Sequence, residues 1–557
     1  MDTYIIFKKW INYQIGGIND FKWTTLKHNG VMFPKNYVKH NIPLLYNGQE
    51  IFLNSLQEEY ATYYAKYIET EYIKNKKFKK NFWKDWRLIL GKNHEIQEFD
   101  NCDFSLINNY LQKKKEIKKN ISKEEKEKIK NIKNLKAEKY NYAIIDGKKQ
   151  PIDNYKIESP GIFIGRGCHP KMGRIKKRIY PENITLNIGE GEKIPNTLEG
   201  HQWKEIIHNK EVLWIASWKD NITKKYKYVF PGDQSIFKAK SDENKYNLAR
   251  KLKKNIGEIR KINFENLISN DLKMKQLATA LYFIDKLALR VGNEKNKNEA
   301  DTVGVSSLRI EHIKIMSENK IKLDFLGKDS IRYVKKFKVD DIIFNNLLIF
   351  INEKKRKEDL FDLIKPSDIN KYLQNFMKKL TSKVFRTYNA SNLFQRELNA
   401  ITKKIRNDNL EDKINLILTE FNKANAKVAI LCNHQKNVSK NFNIQLEKIL
   451  TQIKNLRKKK REQLRKKLEM KEKGRKTKKI RARIKKIENK LQLLKAKKNM
   501  KIEMKNVSTG TSKNNYIDPR ITISFLKKND IPIDKVFSEK LRNKFKWAFD
   551  INKDYIF

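Results

Sequence analysis

The chain has 557 residues, too long for one simple core, and its 28 Phe, 23 Tyr and 8 Trp suffice for roughly two to four domains. Its 122 Lys and Arg against 65 Asp and Glu leave a net charge of +57, which self-repels unless a polyanion neutralises part of it. Nucleic acid or an anionic membrane surface is therefore expected, although part of the lysine excess belongs to a generally Lys/Asn/Ile-rich composition. Cys102, Cys168 and Cys432 are widely spaced, which argues against a disulfide framework or a cysteine zinc site and fits a reducing compartment. The segment Met1–Trp10 lacks the apolar region of a signal peptide. The most apolar run, Ile342 to Ile351, is far short of the ~20 residues that span a bilayer. A soluble intracellular protein that binds no membrane is expected.

In chain order, residues 1–115 mix aromatics and lysines, with Asn-Gly turns at 29–30 and 47–48 around a helical stretch from Ser55 to Lys77. The segment Phe78–Arg87 interleaves bases with rings, a pattern that either grips a nucleic-acid backbone or, more often, buries the rings and solvates the lysines. Leu111 to Tyr140 is a charged helical run, and Ser122 with Glu125 reads as a capping box opening one helix within it. Its apolar stripe is narrow, so it is expected to project or bridge.

From Tyr142 to about Phe237 the period shifts to strands and turns, with Trp203, Trp214 and Trp218 expected on strands and in a core. The segment Gly161–Gly173 carries four glycines beside Arg166 and precedes Arg174, Lys176, Lys177 and Arg178. Pro170 interrupts any helix that a dinucleotide fingerprint would need, so a loop lying against phosphates fits better.

Residues 245 to about 437 read as helical. Ala278 to Leu289 is apolar nearly all round and delivers Arg290 at its end. Lys320 to Lys338 alternates as a hairpin around Gly327–Ser330, and further helices carry Arg386 and end at His434. Residues 438–505 place Leu446, Ile449, Leu450, Ile453, Leu464 and Leu468, then Ile480, Ile484, Ile487 and Leu491, at helical spacing within Lys and Arg. A basic antiparallel two-helix hairpin, like a coiled coil, is expected. The segment Gly510–Arg520 then sets Tyr516 between polar residues and a proline that would stop the helix.

Phosphoryl transfer to a tyrosine needs cations around the non-bridging oxygens and an acid for the leaving oxygen, and arginine is the planar, bidentate clamp for phosphate. The sequence shows no His-x-His, cysteine cluster or spaced carboxylate set, which favours a metal-independent reaction.

Six segments in order carry a resemblance: Leu289–Glu294, Ala300–Gly304, Asp324–Ser330, Lys383–Ser391, Ala429–Gln435 and Thr511–Arg520. Together with Phe78–Arg87 and Gly161–Gly173, they resemble the eukaryotic type IB DNA topoisomerases from about Trp10 to Phe557. The resemblance implies that Tyr516 attacks the scissile phosphate and forms a 3′-phosphotyrosine. It implies that Arg290 and Arg386 clamp the non-bridging oxygens, with His434 donating a further hydrogen bond. Lys328 would be the general acid for the leaving 5′ oxygen. Arg166, Asp329 and Asn515 match positions that in the family line the cleavage site and the camptothecin pocket. Lys171 and Lys383 are expected to contact DNA as well.

The implied fold is a multi-domain α+β clamp on duplex DNA, its mainly helical catalytic domain related to the tyrosine recombinases. The expected division is an N-terminal cap at 1–115, a second part of cap and core at 116–235, and a catalytic domain at 236–437. A coiled-coil linker at 438–505 and a small domain at 506–557 carrying the tyrosine complete it. The implied activity is relaxation of supercoiled DNA by nicking, controlled rotation and religation. It needs no ATP because the phosphotyrosine keeps the bond energy, and no divalent metal is essential. A monomer acting on double-stranded DNA is expected.

Two rivals remain at this point. A tyrosine recombinase would use a similar residue set, but with His three residues before the second Arg, where this chain has Lys383, and without the long basic hairpin. A non-catalytic nucleic-acid-binding scaffold would use the charge alone. Relatives commonly precede the core with a long charged tail bearing nuclear-localisation signals, whereas here the core starts within about ten residues of Met1. Nuclear import is then expected to rely on internal Lys-rich runs; the alternative is work in an organellar or reduced-genome compartment.

Overall fold

The computed structural model describes residues 21–293, 298–405, 413–439 and 441–557. Met1–Trp10 and Glu294, read above from the sequence, lie outside them. Packing divides the chain into two units: residues 1–244 with 294–302 and 326–330, and residues 245–293 with 303–325 and 331–557. The whole is a mixed α/β protein of several domains.

The first unit has two apolar centres. In one, helices Ser55–Ala65 and Lys76–Leu90 pack Tyr60, Tyr64, Phe78, Phe82 and Trp86 against Phe104 and Ile107. The single helical stretch expected from Ser55 to Lys77 is thus two helices. Asn54 opens the first through a capping box with Gln57, and Asn75 accepts from the amides of Lys77 and Phe78 to open the second. Phe78, Phe82 and Trp86 recur every fourth residue on one face and are fully buried, so these rings are core. The other centre gathers Trp23, Leu26, Ile145, Ile184, Leu186, Ile215 and Trp218 between two small sheets. One is the antiparallel set Leu26–His28, Tyr142–Ile145 and Lys148–Pro151. The other orders Glu205–Ile207, Ile184–Asn187, Ala216–Lys219 and Tyr226–Val229, with the first pair parallel. Trp218 lies on a strand, but Trp203 and Trp214 sit in the loops before one, Trp203 half-buried with its indole N–H on Pro195 O.

The charged run resolves into helices Ser105–Asn120 and Lys123–Glu138. Ser122 and Glu125 form the expected capping box, and the second helix buries no side chain. The glycine-rich segment leaves a short strand, Gly161–Ile162, and returns as Ile175–Lys176. Gly173 (φ +92°) is needed where it stands, because a Cβ there would lie 2.1 Å from the carbonyl oxygen of Phe78.

The second unit is built around helix Ile236–Leu267 from residue 245 on and helices Leu272–Leu287, Ser382–Ile405 and Lys413–Leu431, whose apolar faces share one core with the antiparallel sheet Ile313–Ile315, Lys320–Leu326, Arg332–Lys338. The hairpin expected between Lys320 and Lys338 is present, and its first strand also pairs with Ile313–Ile315, which the sequence reading did not anticipate. The apolar run Ile342–Ile351 falls in helix Asp341–Ile351, one side of which is buried. Among the described residues no helix is long and apolar enough to cross a membrane.

Helices Phe442–Glu472 and Lys478–Glu503 run antiparallel. Ile449 and Ile453 meet Leu491 with Leu456, Ile487 and Leu494 around them, while Lys460–Glu488 and Lys501–Gln445 tie the outer faces. Ile480 and Ile484 are buried, but Leu450, Leu464 and Leu468 are exposed, so the apolar seam is narrower than the spacing suggested. After helix Thr509–Asn515 comes Tyr516, and then Asp518 caps helix Pro519–Lys528. The proline expected to stop a helix instead starts one: it occupies the first helical position, where no N–H is needed.

Candidate active site

In the second unit four of the expected residues come together: Arg290, Arg386, His434 and Tyr516. Arg386 projects from helix Ser382–Ile405 and is 5% exposed. Its Nη1 donates to Ala288 O, and its Nη2 donates to Cys432 O at 3.0 Å and to His434 Nε2 at 3.3 Å. Its Nε is buried with no partner among the described residues. Among the described residues no carboxylate pairs with Arg386 or Arg290. A buried guanidinium whose described partners are all neutral acceptors keeps its charge for interaction with anionic oxygens.

The Tyr516 ring lies beside this cation, with the Arg386 Cζ 5.1 Å from the ring centroid and the His434 ring centroid 4.9 Å away. Burial opposes ionisation of the Tyr516 phenol. The charges of Arg386 and Arg290, with hydrogen bonds from both, outweigh it and hold the phenol below the usual tyrosine range. Burial, then the same two arginines, pulls His434 down to about 3, so its imidazole is neutral at physiological pH. An acidified phenol beside two cations can attack an electrophilic centre that carries anionic oxygens.

Each side chain has a local cause. Helix Leu272–Leu287 ends at Ala288 in the left-handed region (φ 51°), which turns the chain so that Leu289 is buried and Arg290 is half-exposed. The segment is then clamped from 303–306: Val305 N donates to Arg290 O at 2.9 Å and Ser306 N to Val291 O at 2.8 Å. Gly304 permits the approach. A Cβ there would lie 2.3 Å from Gly292 N and 2.7 Å from Arg290 O, both rigid backbone. Gly304→Ala is therefore expected to cost about 1–3 kcal/mol of stability. It should also slow any reaction that uses Arg290 by about tenfold or more. Urea unfolding and single-turnover cleavage measure the two, and unchanged values of both would contradict the clamp.

His434 follows helix Lys413–Leu431, its amide donating to Ala429 O at 2.8 Å and its carbonyl accepting from Ser508 N at 2.7 Å. Tyr516 is held by Ser391, whose hydroxyl donates to Tyr516 O at 3.2 Å and accepts from Asp518 N at 3.0 Å. Ser391 shares its helix with Arg386, so one element fixes both clamp and nucleophile. Asp518 is fully buried, accepts from Arg520 and Tyr555, and anchors the chain just beyond the tyrosine. Sequence reasoning missed Ser391, Ser512 and this Asp518 cluster. Only Asp518 carried a signal, as a capping residue followed by proline.

Lys383 and Asn515 are exposed on the same unit, with Asn515 Nδ2 donating to Thr511 O. The remaining expected residues belong to the first unit. Arg166 and Asp329 form an ion pair there, and Ser330 Oγ donates to Arg166 O at 3.3 Å. Lys328 is exposed in the same turn, where Asp329 and Ser330 both take positive φ. Lys171 is half-buried and donates its ammonium to Ile222 O at 2.7 Å.

Three family descriptions match nearly the whole described chain. Residues 21–231 match the DNA-binding fragment of eukaryotic DNA topoisomerase I, 234–468 its catalytic core, and 488–557 the C-terminal topoisomerase domain. The class is thus a DNA-binding fragment, a catalytic core and a C-terminal domain in one chain. Over 96% of its length the chain is 42% identical to DNA topoisomerase 1 beta of Arabidopsis thaliana, 41% to DNA topoisomerase 1 of Caenorhabditis elegans and 41% to DNA topoisomerase 1 of Homo sapiens. It spans 59% of the plant protein's length, 68% of the nematode's and 72% of the human one's. The chain belongs to the eukaryotic DNA topoisomerase I family.

Proposed function

We propose that this chain relaxes supercoiled duplex DNA by transient single-strand cleavage. The carrying observation is the buried Arg386, which among the described residues has no carboxylate partner and no partner for its Nε, set against the acidified ring of Tyr516. The Tyr516 oxygen attacks the scissile phosphorus, and the bond to the 5′ oxygen breaks. The products are a 3′-phosphotyrosine and a 5′ hydroxyl, whose proton comes from Lys328. Arg290 and Arg386 stabilise the phosphorane oxygens and His434 donates to one of them. Religation reverses the step, so ATP is not consumed, and side-chain cations take the charge that a divalent metal would otherwise take.

Arg166, Lys171, Asp329, Lys383 and Asn515 are the proposed DNA contacts, and the substrate is chromosomal duplex DNA in the nucleus, engaged by a monomer. Of the proposed divisions at 115, 235, 437 and 505, the one at 235 is supported by the junction of the matched regions at 231 and 234, while the regions ending at 468 and starting at 488 both reach into the proposed linker. The antiparallel basic helices between Phe442 and Glu503 support a linker that slows rotation of the cut duplex.

The test uses an oligonucleotide duplex labelled at either end of the cleaved strand and trapped by loss of the short fragment 3′ to the break, which leaves with its 5′ hydroxyl. The expected result is a denaturation-resistant adduct on the peptide containing Tyr516, carrying the label from the 5′ side of the break. An adduct through a 5′ phosphate, or on another tyrosine, would overturn the assignment.

A further inference from the structure

Ser512 is fully buried, and its hydroxyl lies 2.8 Å from His434 Nδ1. On the ring's other side stands Arg386 Nη2, which can only donate, so His434 Nε2 accepts and Nδ1–H donates to Ser512 in the free protein. Donation from His434 to a phosphate oxygen requires the opposite tautomer, with Nε2–H outward and Nδ1 accepting. A hydroxyl serves both states, since it accepts from Nδ1–H in one and donates to Nδ1 in the other, so Nδ1 keeps its partner in either tautomer. Ser512 also accepts the amide of Tyr516 on its carbonyl at 2.9 Å, so it belongs to the turn that presents the nucleophile.

We infer that Ser512 is a positioning residue that lets His434 switch tautomer when phosphate enters the site, and so couples phosphate recognition to the placement of Tyr516. This rests on the function proposed above. Alanine at 512 leaves the helix intact and strands Nδ1 in either its donating or its accepting form. Asparagine or glutamine could not replace the hydroxyl in the same space.

The test has two arms on the full chain. In the first, 15N-histidine-labelled Tyr516→Phe protein, with the His434 signal assigned by its loss in His434→Gln, is titrated with an oligonucleotide duplex. The expected spectra change from Nδ1–H to Nε2–H on binding, and Ser512→Ala removes that change. In the second, Ser512→Ala slows single-turnover cleavage by about tenfold or more. Affinity for the uncleaved duplex holds within about twofold, and the further loss in a His434→Gln background is under about twofold. Cleavage by Ser512→Ala at the wild-type rate would overturn the inference. So would an equal loss in both backgrounds, which marks a packing effect, or a tautomer that does not change on binding. Absence of cleavage by the wild type overturns the proposed function instead, and the spectra are read without cleavage.

Discussion

Tyr516→Phe is expected to abolish plasmid relaxation, by at least about 10⁴-fold, while the protein still binds duplex DNA with nearly unchanged affinity. The substitution removes one oxygen and leaves the ring that packs beside His434 and Arg386. The main-chain grip on this residue, through Ser391, does not involve the phenol. Fold and binding surface therefore persist and only the nucleophile is lost. Gel-shift and relaxation assays on the same preparation separate the two properties. Residual relaxation near the wild-type rate would remove Tyr516 from the mechanism.

Arg386→Ala should slow cleavage by about 10³-fold or more, the order of effect seen when an arginine that neutralises a phosphoryl transition state is removed. It should also move the pH dependence. Burial raises the phenol pKa of Tyr516, and the charges of Arg386 and Arg290 together lower it below the ordinary value. With Arg386 gone, burial stands against Arg290 alone, the phenol pKa rises, and less phenolate is present at a given pH. The rising limb of cleavage against pH is therefore displaced to higher pH, and raising the pH recovers part of the loss. A variant with the wild-type rate and pH profile would show that the buried cation serves the fold only.

The roles of the site residues came from the resemblance, while their places in the chain were legible because they sit where local patterns change. Arg290 follows a helix that is apolar nearly all round, Lys328 occupies a hairpin turn between alternating strands, and Tyr516 follows the end of the basic helical run. The capping box at Ser122 was readable for the same reason: helix ends have a residue grammar. What could not be read was whatever depends on three-dimensional neighbours. Ser391 and Ser512 are ordinary serines within helices until the structure sets one against the main chain of Tyr516 and the other against His434. The rings of Phe78–Arg87 could have gripped DNA or filled a core, and only packing decided for the core. Pro519 was misread because proline both stops and starts helices, and the cap at Asp518 decides which. The recombinase alternative finds Lys383, exposed, at the position where it needs a histidine.

The most direct measurement is relaxation of negatively supercoiled plasmid by the wild-type chain in EDTA, without ATP. The account predicts a ladder of topoisomers that converges on the relaxed circle, with the DNA closed again at the end. Plasmid that is bound by the protein yet stays fully supercoiled would contradict it.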